Sequence, residues 1–487
     1  MKQMEALRLV GKVKYKEYII SVIANKCLTV KRKTHSIHIY DMYNFYQGSL
    51  NYNAEKYLGK KKIDIETKDF TKIYVINHWK ELCAYCVQDA ILVKELAELL
   101  ISKFEGFGVY PKKLFSTAYV SYQFFRQTCN YVTVKRFWEK DRKLLDYAMR
   151  SYEGGKFEVT ERGTGYYYEY DIVSAYPYEI ANLVDLSKAR VQWSKKYERS
   201  ATYGFIDVRM KISRDFHSPI VVKSKMVNTF PIGYIQRIIT KKEYEYLITH
   251  NIDVTIMNAC WIYCQTSVKP YSKAINYLIQ KKNEYKSNKT GLEYHTTKIL
   301  MNSLYGKFWQ TIKKGDRYEA SSCWNPIYAS IITANTRIKI SDYQNKHPSI
   351  IAVHTDSIIS KKRLNIPKNG SLGEMVYDCE GDGVMVGCGV FQIGNVVKFR
   401  GFNLNVNFNE LFDTKKDVIK IDERRVYTWR EITFHGWDKD MINRFVSLEK
   451  ELYVNFDVKR YWLTEYKSFR DILKYNSKSL PLFNTLI

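Results

Sequence analysis

Between Lys80 and Phe104 apolar residues recur at helical spacing (Leu82, Tyr85, Ala90, Leu92, Leu96, Leu99, Leu100), which predicts one long helix. Upstream, within residues 1–35, Tyr18–Ile23 and Cys27–Val30 set apolar against polar or basic positions and predict two short strands. The stretch from Gly106 to Pro111 ends the helix, and Leu114 to Met149 reads as helical, rich in Arg, Lys and aromatic residues. Ser151–Thr160 and Gly165–Val173 read as strands, the second running into a turn at Pro177. A helix over Lys241–His250 precedes a strand over Ile252–Ile262. Two helices follow, Tyr271–Lys286 and Leu292–Trp309, joined by the polar turn Ser287–Gly291. Pro326 marks the start of a helix over Ile327–Tyr343, and Ile350–Lys361 reads as strand, tight turn, strand. The pattern is mixed α/β without an internal repeat. At 487 residues it implies more than one domain, given roughly 150 residues per domain.

Charge narrows the partner. Lys plus Arg total 77 and Asp plus Glu 51, a net +26, which calls for an anionic partner such as nucleic acid or acidic lipid. The 41 Tyr against 23 Phe favour nucleic acid, because Tyr offers a flat face for bases and a polar tip. AT-rich codons also enrich Lys and Tyr, so composition alone does not decide. No apolar run of about 18 residues is present, and Met1–Lys16 has no signal-peptide core, so neither membrane association nor secretion is expected. Nine scattered cysteines fit a reducing compartment, cytoplasm or organelle of a host cell. Cys83/Cys86 and Cys260/Cys264 lack a second pair at zinc-site spacing.

Three constellations carry chemistry. Asp171-Ile172-Val-Ser174-Ala-Tyr176-Pro177 puts an acid at a strand end, beside a turn whose amides suit phosphate oxygens. Alone, such an Asp is usually a cap. Lys298, Asn302 and Tyr305 fall at i, i+4 and i+7, one face of a helix, and Lys282 and Lys286 share a face of the helix before it. In isolation these are solvated lysines. His354-Thr355-Asp356-Ser357 is a polar tip between apolar strands that brings Asp356 opposite Asp171. Two such carboxylates are the parts needed to hold two Mg²⁺ ions for in-line phosphoryl transfer.

Together the three resemble motifs A, B and C of family B DNA polymerases, and Tyr152-Glu-Gly154-Gly155 resembles the YxGG motif of the same family. The spacing and the wording of motif B look most like the protein-primed branch of phages, viruses and linear plasmids. The resemblance implies an α/β (α+β) right-hand fold behind an incomplete RNase H-like exonuclease domain. Its expected divisions are 1–105 exonuclease-like, 106–150 helical linker, 151–270 palm with motif A, 271–310 fingers, 311–407 palm with motif C and 408–487 thumb. A terminal-protein-binding insertion is expected near 224–267.

The implied activity is template-directed addition of dNTPs to a primer 3′ hydroxyl by a monomer, with a terminal protein as the priming partner. Asp171, the Ile172 carbonyl and Asp356 are implied to hold two Mg²⁺, with Mn²⁺ able to substitute. Ser174, Tyr176, Lys286, Lys298, Asn302 and Tyr305 are implied to bind the nucleotide, Tyr176 meeting the ribose 2′ position. Tyr152, Gly154, Gly155, Ser357, Lys398 and Arg400 are implied to bind DNA. The alternatives are a self-priming family B enzyme and a catalytically inactive DNA-binding relative. A reverse transcriptase is disfavoured, since its hairpin carries adjacent acids.

The sequence also departs from the family. His354 stands where motif C has its first Asp, which implies a position just behind the metal ligands. Gly389 stands where the KxY motif has Lys, leaving primer contact to Lys398 and Arg400. Tyr85-Cys-Val-Gln-Asp89 resembles the third exonuclease motif. Asp64-Ile-Glu66 imitates the first, but 89 − 66 leaves 23 residues, too few for the middle motif. Tyr85 and Asp89 therefore read as an exonuclease remnant without proofreading.

Overall fold

A strand with every residue buried lies at the centre of a sheet, and Ser357–Ser360 buries all four of its residues. The computed structural model describes residues 12–484 apart from 24–26, 47, 66–71, 130–133, 135–136, 138–139, 225–226, 290, 315–316, 403–411, 413–414 and 427–444. Strands β1 (Lys12–Tyr15), β2 (Tyr18–Ile23), β3 (Cys27–Arg32) and β4 (His35–Tyr40) form an antiparallel meander. That is two strands more than predicted. β1 and β4 interleave Lys and His with their apolar residues and stay largely exposed, so their signal is weak. Helix α1 (Trp79–Gly106) buries Leu82, Leu92, Leu96, Leu100 and Phe104 along one stripe, as its spacing predicts. Within the helical stretch expected over 114–149 the described residues include α2 (Thr117–Thr128) and α3 (Arg142–Ser151), and α2 ends where Cys129 takes extended backbone.

Next come β5 (Lys156–Val159), β6 (Glu161–Ile172) and the short helix α4 (Ala175–Ala181), which holds Pro177. Then β7 (Arg190–Trp193), β8 (Tyr203–Ile212), β9 (Ile232–Thr240), α5 (Lys241–Thr249) and β10 (Asp253–Tyr263) build a second sheet. Thr240 and Glu243 cap α5 reciprocally, and Ile206, Val208, Ile235, Leu247 and Trp261 fill its core. β8 pairs with both β9 and β10, so the segment expected as an insertion from 224 shares its central strand with residues before it. The predicted helix Leu292–Trp309 is interrupted. After α6 (Ser272–Glu284), α7 (Leu292–Asn302) stops and α8 (Tyr305–Phe308) restarts beyond Ser303 and Leu304. Lys298 and Asn302 are thus separated from Tyr305 by a break, not carried on one helix face.

A hairpin, β11 (Thr311–Lys314) and β12 (Arg317–Ala320), leads to α9 (Pro326–Lys346), capped by Asn325 with Pro326 in its first turn. β13 (Ile350–Thr355), β14 (Ser357–Ser360), β15 (Met375–Gly387), β16 (Val390–Ile393) and β17 (Val396–Phe399) complete the main sheet in the order β17-β16-β15-β6-β14-β13-β5. The expected thumb divides. β18 (Val418–Val426) and β19 (Phe445–Tyr453) pair antiparallel, while β20 (Arg460–Trp462) and β21 (Ser477–Pro481) return to the main sheet. β21 pairs with β6, Ser477 opposite Arg162, and β22 (Phe483–Asn484) pairs with β9 of the second sheet. Residues 454–484 are therefore tied to the expected palm, through Arg460 to Glu158 at 2.5 Å and Arg162 between the Trp462 and Tyr466 rings.

Arg337 on α9 is 1% exposed and fully engaged. It pairs with Glu243 at 2.7 Å and donates to the carbonyls of Pro219 (3.0 Å), Glu153 (2.8 Å) and Gly154 (2.8 Å). Removing one partner of a buried pair strands the other charge. Arg337→Met is expected to cost about 3–5 kcal/mol of unfolding free energy. Urea unfolding followed by circular dichroism measures this; a loss under about 1 kcal/mol, the scale of an exposed pair, would show that the guanidinium is dispensable.

Candidate active site

β6 and β14 are neighbours with Ser357 opposite Asp171, and the Ile172 amide donates to the Asp356 carbonyl at 2.9 Å. This register brings Asp171, at the end of β6, beside Asp356 in the turn between β13 and β14. Thr355 just before it has φ +66°, a strained value for a β-branched residue. Gly155 explains the room. A side chain there would meet Thr355 Cγ2 at 2.6 Å, so the approach of the YxGG segment to this turn requires glycine.

Two further carboxylates join the pair. Glu169 lies two residues before Asp171, on the same face of β6, and is 6% exposed. Asp378 is the extra residue of a β-bulge in β15, between Tyr377 opposite Tyr170 and Cys379 opposite Glu169. Burial, then Asp356, Asp378 and Glu169, push the Asp171 carboxyl up to about 7. Burial also raises Asp356 and Glu169. A surplus of close carboxylates in a half-buried site suits a hard divalent cation. Cys379 lies within 4.8 Å of Glu169 and Asp378, but burial holds its thiol at about 12, so it is a poor ligand.

Opposite stands the motif A turn. Ser174 has φ +49°, and its hydroxyl accepts from Lys282 Nζ at 3.1 Å. Lys282 is half-buried on α6; burial and Lys298 lower its pKa, while Asp171 raises it. The cation nearest the motif A turn is therefore Lys282. Lys286 lies exposed in the turn beyond α6, and Lys298 and Asn302 are exposed on α7. The Tyr176 and Tyr305 rings pack with centroids 4.4 Å apart. Burial, then Asp356, push the Tyr176 hydroxyl up to about 12. Tyr305 shares a 2.7 Å hydrogen bond with Tyr152, whose ring stacks on Trp309 at 3.8 Å. Tyr152 is thus occupied on one ring face and at its hydroxyl. The Gly154 carbonyl is held by Arg337, so the YxGG segment is anchored from within.

The carboxylates open into a cleft of about 490 Å³ whose other wall is Phe157, His354, Phe391, Lys398 and Arg400. His354 lines this cleft together with Asp171 and Asp356. Its ring stacks on Phe391 (4.9 Å, 10°) and tilts over Phe157 (4.8 Å), and Nε2 is buried without a partner. Burial, then Lys459, Arg400 and Lys398, lower its pKa to about 3, so the imidazole is neutral. Gly389 has φ +76°, and a side chain there would meet Arg400 Cβ at 2.9 Å, which explains why no Lys stands at this position. Ser357 is buried, and its hydroxyl lowers the pKa of Glu169. Lys282 was read from the sequence on one face with Lys286; Glu169, Asp378 and Lys459 were missed. Only Glu169, by its two-residue step from Asp171, had a readable signal.

Far from this cleft, Asp89 pairs with Lys62 at 2.7 Å, and the same ammonium reaches Tyr85 OH at 2.7 Å. Among the described residues no group of acids surrounds Asp89. Glu66 lies outside the described residues. No described helix is long and apolar enough to cross a membrane.

The family model for DNA polymerase type B, organellar and viral, matches residues 16–321, more than half of the chain. The chain belongs to this polymerase family. A DNA polymerase of the Acidianus bottle-shaped virus (isolate Italy/Pozzuoli) is 25% identical over 371 residues, which are 72% of this chain and 54% of that protein. This type B chain thus spans about half the length of that viral relative. The structure of phi29 DNA polymerase with primer-template DNA and incoming nucleotides superimposes with a TM-score of 0.63 at 16% identity, covering 93% of this chain and 88% of that one. The orthorhombic crystal form of the phi29 enzyme gives 0.62 at 14% identity, over 89% and 85%. The family member described here therefore has the right-hand polymerase fold.

Between pH 3.8 and about 7 the folded chain keeps a proton on the Asp171 cluster that the unfolded chain has lost, so stability falls as pH rises through that window. A divalent cation must displace the same proton. Mn²⁺ affinity is expected to weaken about tenfold per pH unit below 7, level off above it, and lose this slope in Asp171→Asn. Isothermal titration at several pH values checks it; an affinity flat from pH 5 to 8 contradicts the assignment.

Proposed function

We propose that the chain is a template-directed DNA polymerase that adds dNTPs to a primer 3′ hydroxyl. The observation that carries this reading is the pairing of Asp171 with Asp356 at adjacent strand ends, across from the Lys282–Ser174 contact. Asp171, Asp356 and the Ile172 carbonyl would hold two Mg²⁺ ions, with Mn²⁺ able to substitute. When bound, these supply charge neutralisation at the reacting phosphate and a lowered pKa for the attacking hydroxyl. Glu169 and Asp378 deepen the negative field that retains them. Lys282 faces the incoming triphosphate, backed by Lys286 and Lys298, and its charge offsets that of the departing pyrophosphate. Tyr176 and Tyr305, packed together, present their edges to the new base pair, with Tyr176 towards the ribose 2′ position. Lys398 and Arg400 take the primer strand.

Likeness to phi29 polymerase, which has been seen with primer-template DNA and incoming nucleotides, supports DNA and dNTPs as partners. We read the genome served as that of a virus or linear plasmid, and the initiation as protein-primed on a terminal protein, by a monomer. The second sheet, residues 190–263, is the surface we assign to that protein. No disulfide joins the nine cysteines, and we read the compartment as a reducing host cytoplasm or organelle.

Primer extension on a labelled template tests the reading. Asp171→Asn and Asp356→Asn are each expected to leave less than about 1% of wild-type extension while retaining DNA binding. Extension above that level in either variant removes the residue from the metal site. Lys282→Ala is expected to raise KM for dNTP by about 10–100-fold, the scale of a charge-assisted hydrogen bond. The same loss from Lys286→Ala, with Lys282→Ala unaffected, would return the role to Lys286.

A further inference from the structure

Strands β1–β4 share a face whose aliphatic side chains remain outside every described core. One row, Val13–Ile20–Val30–Ile37, crosses all four strands through directly paired positions. A second, Val22–Leu28–Ile39, lies two residues along and points to the same side. Ile37 is 67% exposed and Ile39 57%, and the other five are part-exposed. None of the seven joins a hydrophobic cluster of the described residues. The opposite face is polar. His38 hydrogen-bonds Thr29 at 2.9 Å and Ser36 at 3.1 Å there, and Tyr40 packs on Phe115 with centroids 5.6 Å apart. A sheet with one aliphatic face is built to hold a second layer, and a continuous exposed apolar patch marks an interaction site.

The two edges of this sheet differ. β1 carries Lys12 and Lys14, with Lys16 in the turn after it, and such charges blunt an edge against further pairing. β4, from His35 to Tyr40, holds no Lys, Arg, Asp, Glu or Pro, and no described strand pairs with its outer side. It is an open template for one more strand.

Charge and side-chain type select the occupant. Residues 12–40 contain seven Lys or Arg and one acid, Glu17, which Arg32 holds at 2.8 Å. The surroundings of the face therefore complement an acidic partner, and a second copy of this chain would bring a like-charged rim. Aromatic rings on the face are confined to the paired Tyr15 and Tyr18 at one end, so bases would find little to stack on. A polypeptide fits the aliphatic rows better than a nucleic acid does.

We propose that β4 and the aliphatic face beside it dock an acidic polypeptide, which adds a strand along β4 and lays apolar side chains over the two rows. None of these residues lines the carboxylate cleft, and the proposal does not rest on the polymerase reading.

The whole chain is titrated with a labelled peptide alternating Val and Glu. Its Val/Lys counterpart, a Val/Glu peptide with a central Pro, and labelled oligo-dT serve as comparisons. At low salt the Val/Glu peptide is expected to bind at least about tenfold more tightly than the Val/Lys and Pro peptides. Hydrogen exchange should slow along β4 and not along β1. Ile37→Ser/Ile39→Ser removes apolar surface at exposed positions without adding charge. It should weaken the Val/Glu peptide about tenfold or more while melting and primer extension stay at wild-type values. Equal affinity for the Val/Glu and Val/Lys peptides, or wild-type affinity in the double variant, would overturn the proposal. Slowed exchange on β4 with oligo-dT and not with the Val/Glu peptide would make the face a nucleic-acid surface and overturn it too. So would self-association in sedimentation that the double variant abolishes, because the occupant would then be a second copy.

Discussion

One buried guanidinium ties together the parts that make the site. Arg337 reaches from α9 to Glu243 on the second sheet's helix and to the carbonyls of Pro219, Glu153 and Gly154. A planar, permanently charged fork is the group suited to several fixed acceptors at once; an ammonium could not span them. Through Gly154 it fixes the segment that lets Gly155 approach Thr355, and hence the turn that presents Asp356. Through Glu243 it fixes the second sheet against the first. The placement of Asp171 and Asp356 thus depends on a contact that touches neither of them.

The cleft itself is a charge separation held in place by fold. Four carboxylates crowd one wall, strongly enough to carry the Asp171 carboxyl to about 7. Lys398 and Arg400 line the same cleft. Left in contact, the two sets would neutralise one another and nothing would be gained from bound ions or polyanions. Phe157, His354 and Phe391 line the cleft beside them. The price of this arrangement is visible in the buried, unpartnered Nε2 of His354.

Much of this was legible in the residues. The strand–turn–strand around Asp356, the helix opened by Pro326 and the long helix Lys80–Phe104 follow from spacing and caps, and the chemistry followed from residue types at strand ends. The rest depends on what spacing does not encode. Asp378 enters the site only because a bulge shifts the register of β15 by one residue. Lys282 replaces Lys286 because α6 ends in a tighter turn that swings Lys286 to solvent. Lys459 arrives from some 300 residues away in sequence, since its partner carbonyl is that of Phe157. The break at Ser303 and Leu304 is set by tertiary packing of Tyr305 on Tyr176, which no helix propensity anticipates.

The pairing of β21 with β6 has a bearing on biosynthesis. β6 is made well before its neighbour at Arg162, which is Ser477, so some 300 further residues must leave the ribosome before that edge is closed. Until then the strand that ends in Asp171 has open backbone donors and acceptors at its start, and Glu158 and Lys156 await Arg460 in what becomes a sealed interior. Contacts of such long range form slowly and leave nascent sheets open to wrong partners. A translation arrest or frameshift that removes residues 460–484 would therefore yield a polypeptide carrying every motif A, B and C residue and still unable to assemble them.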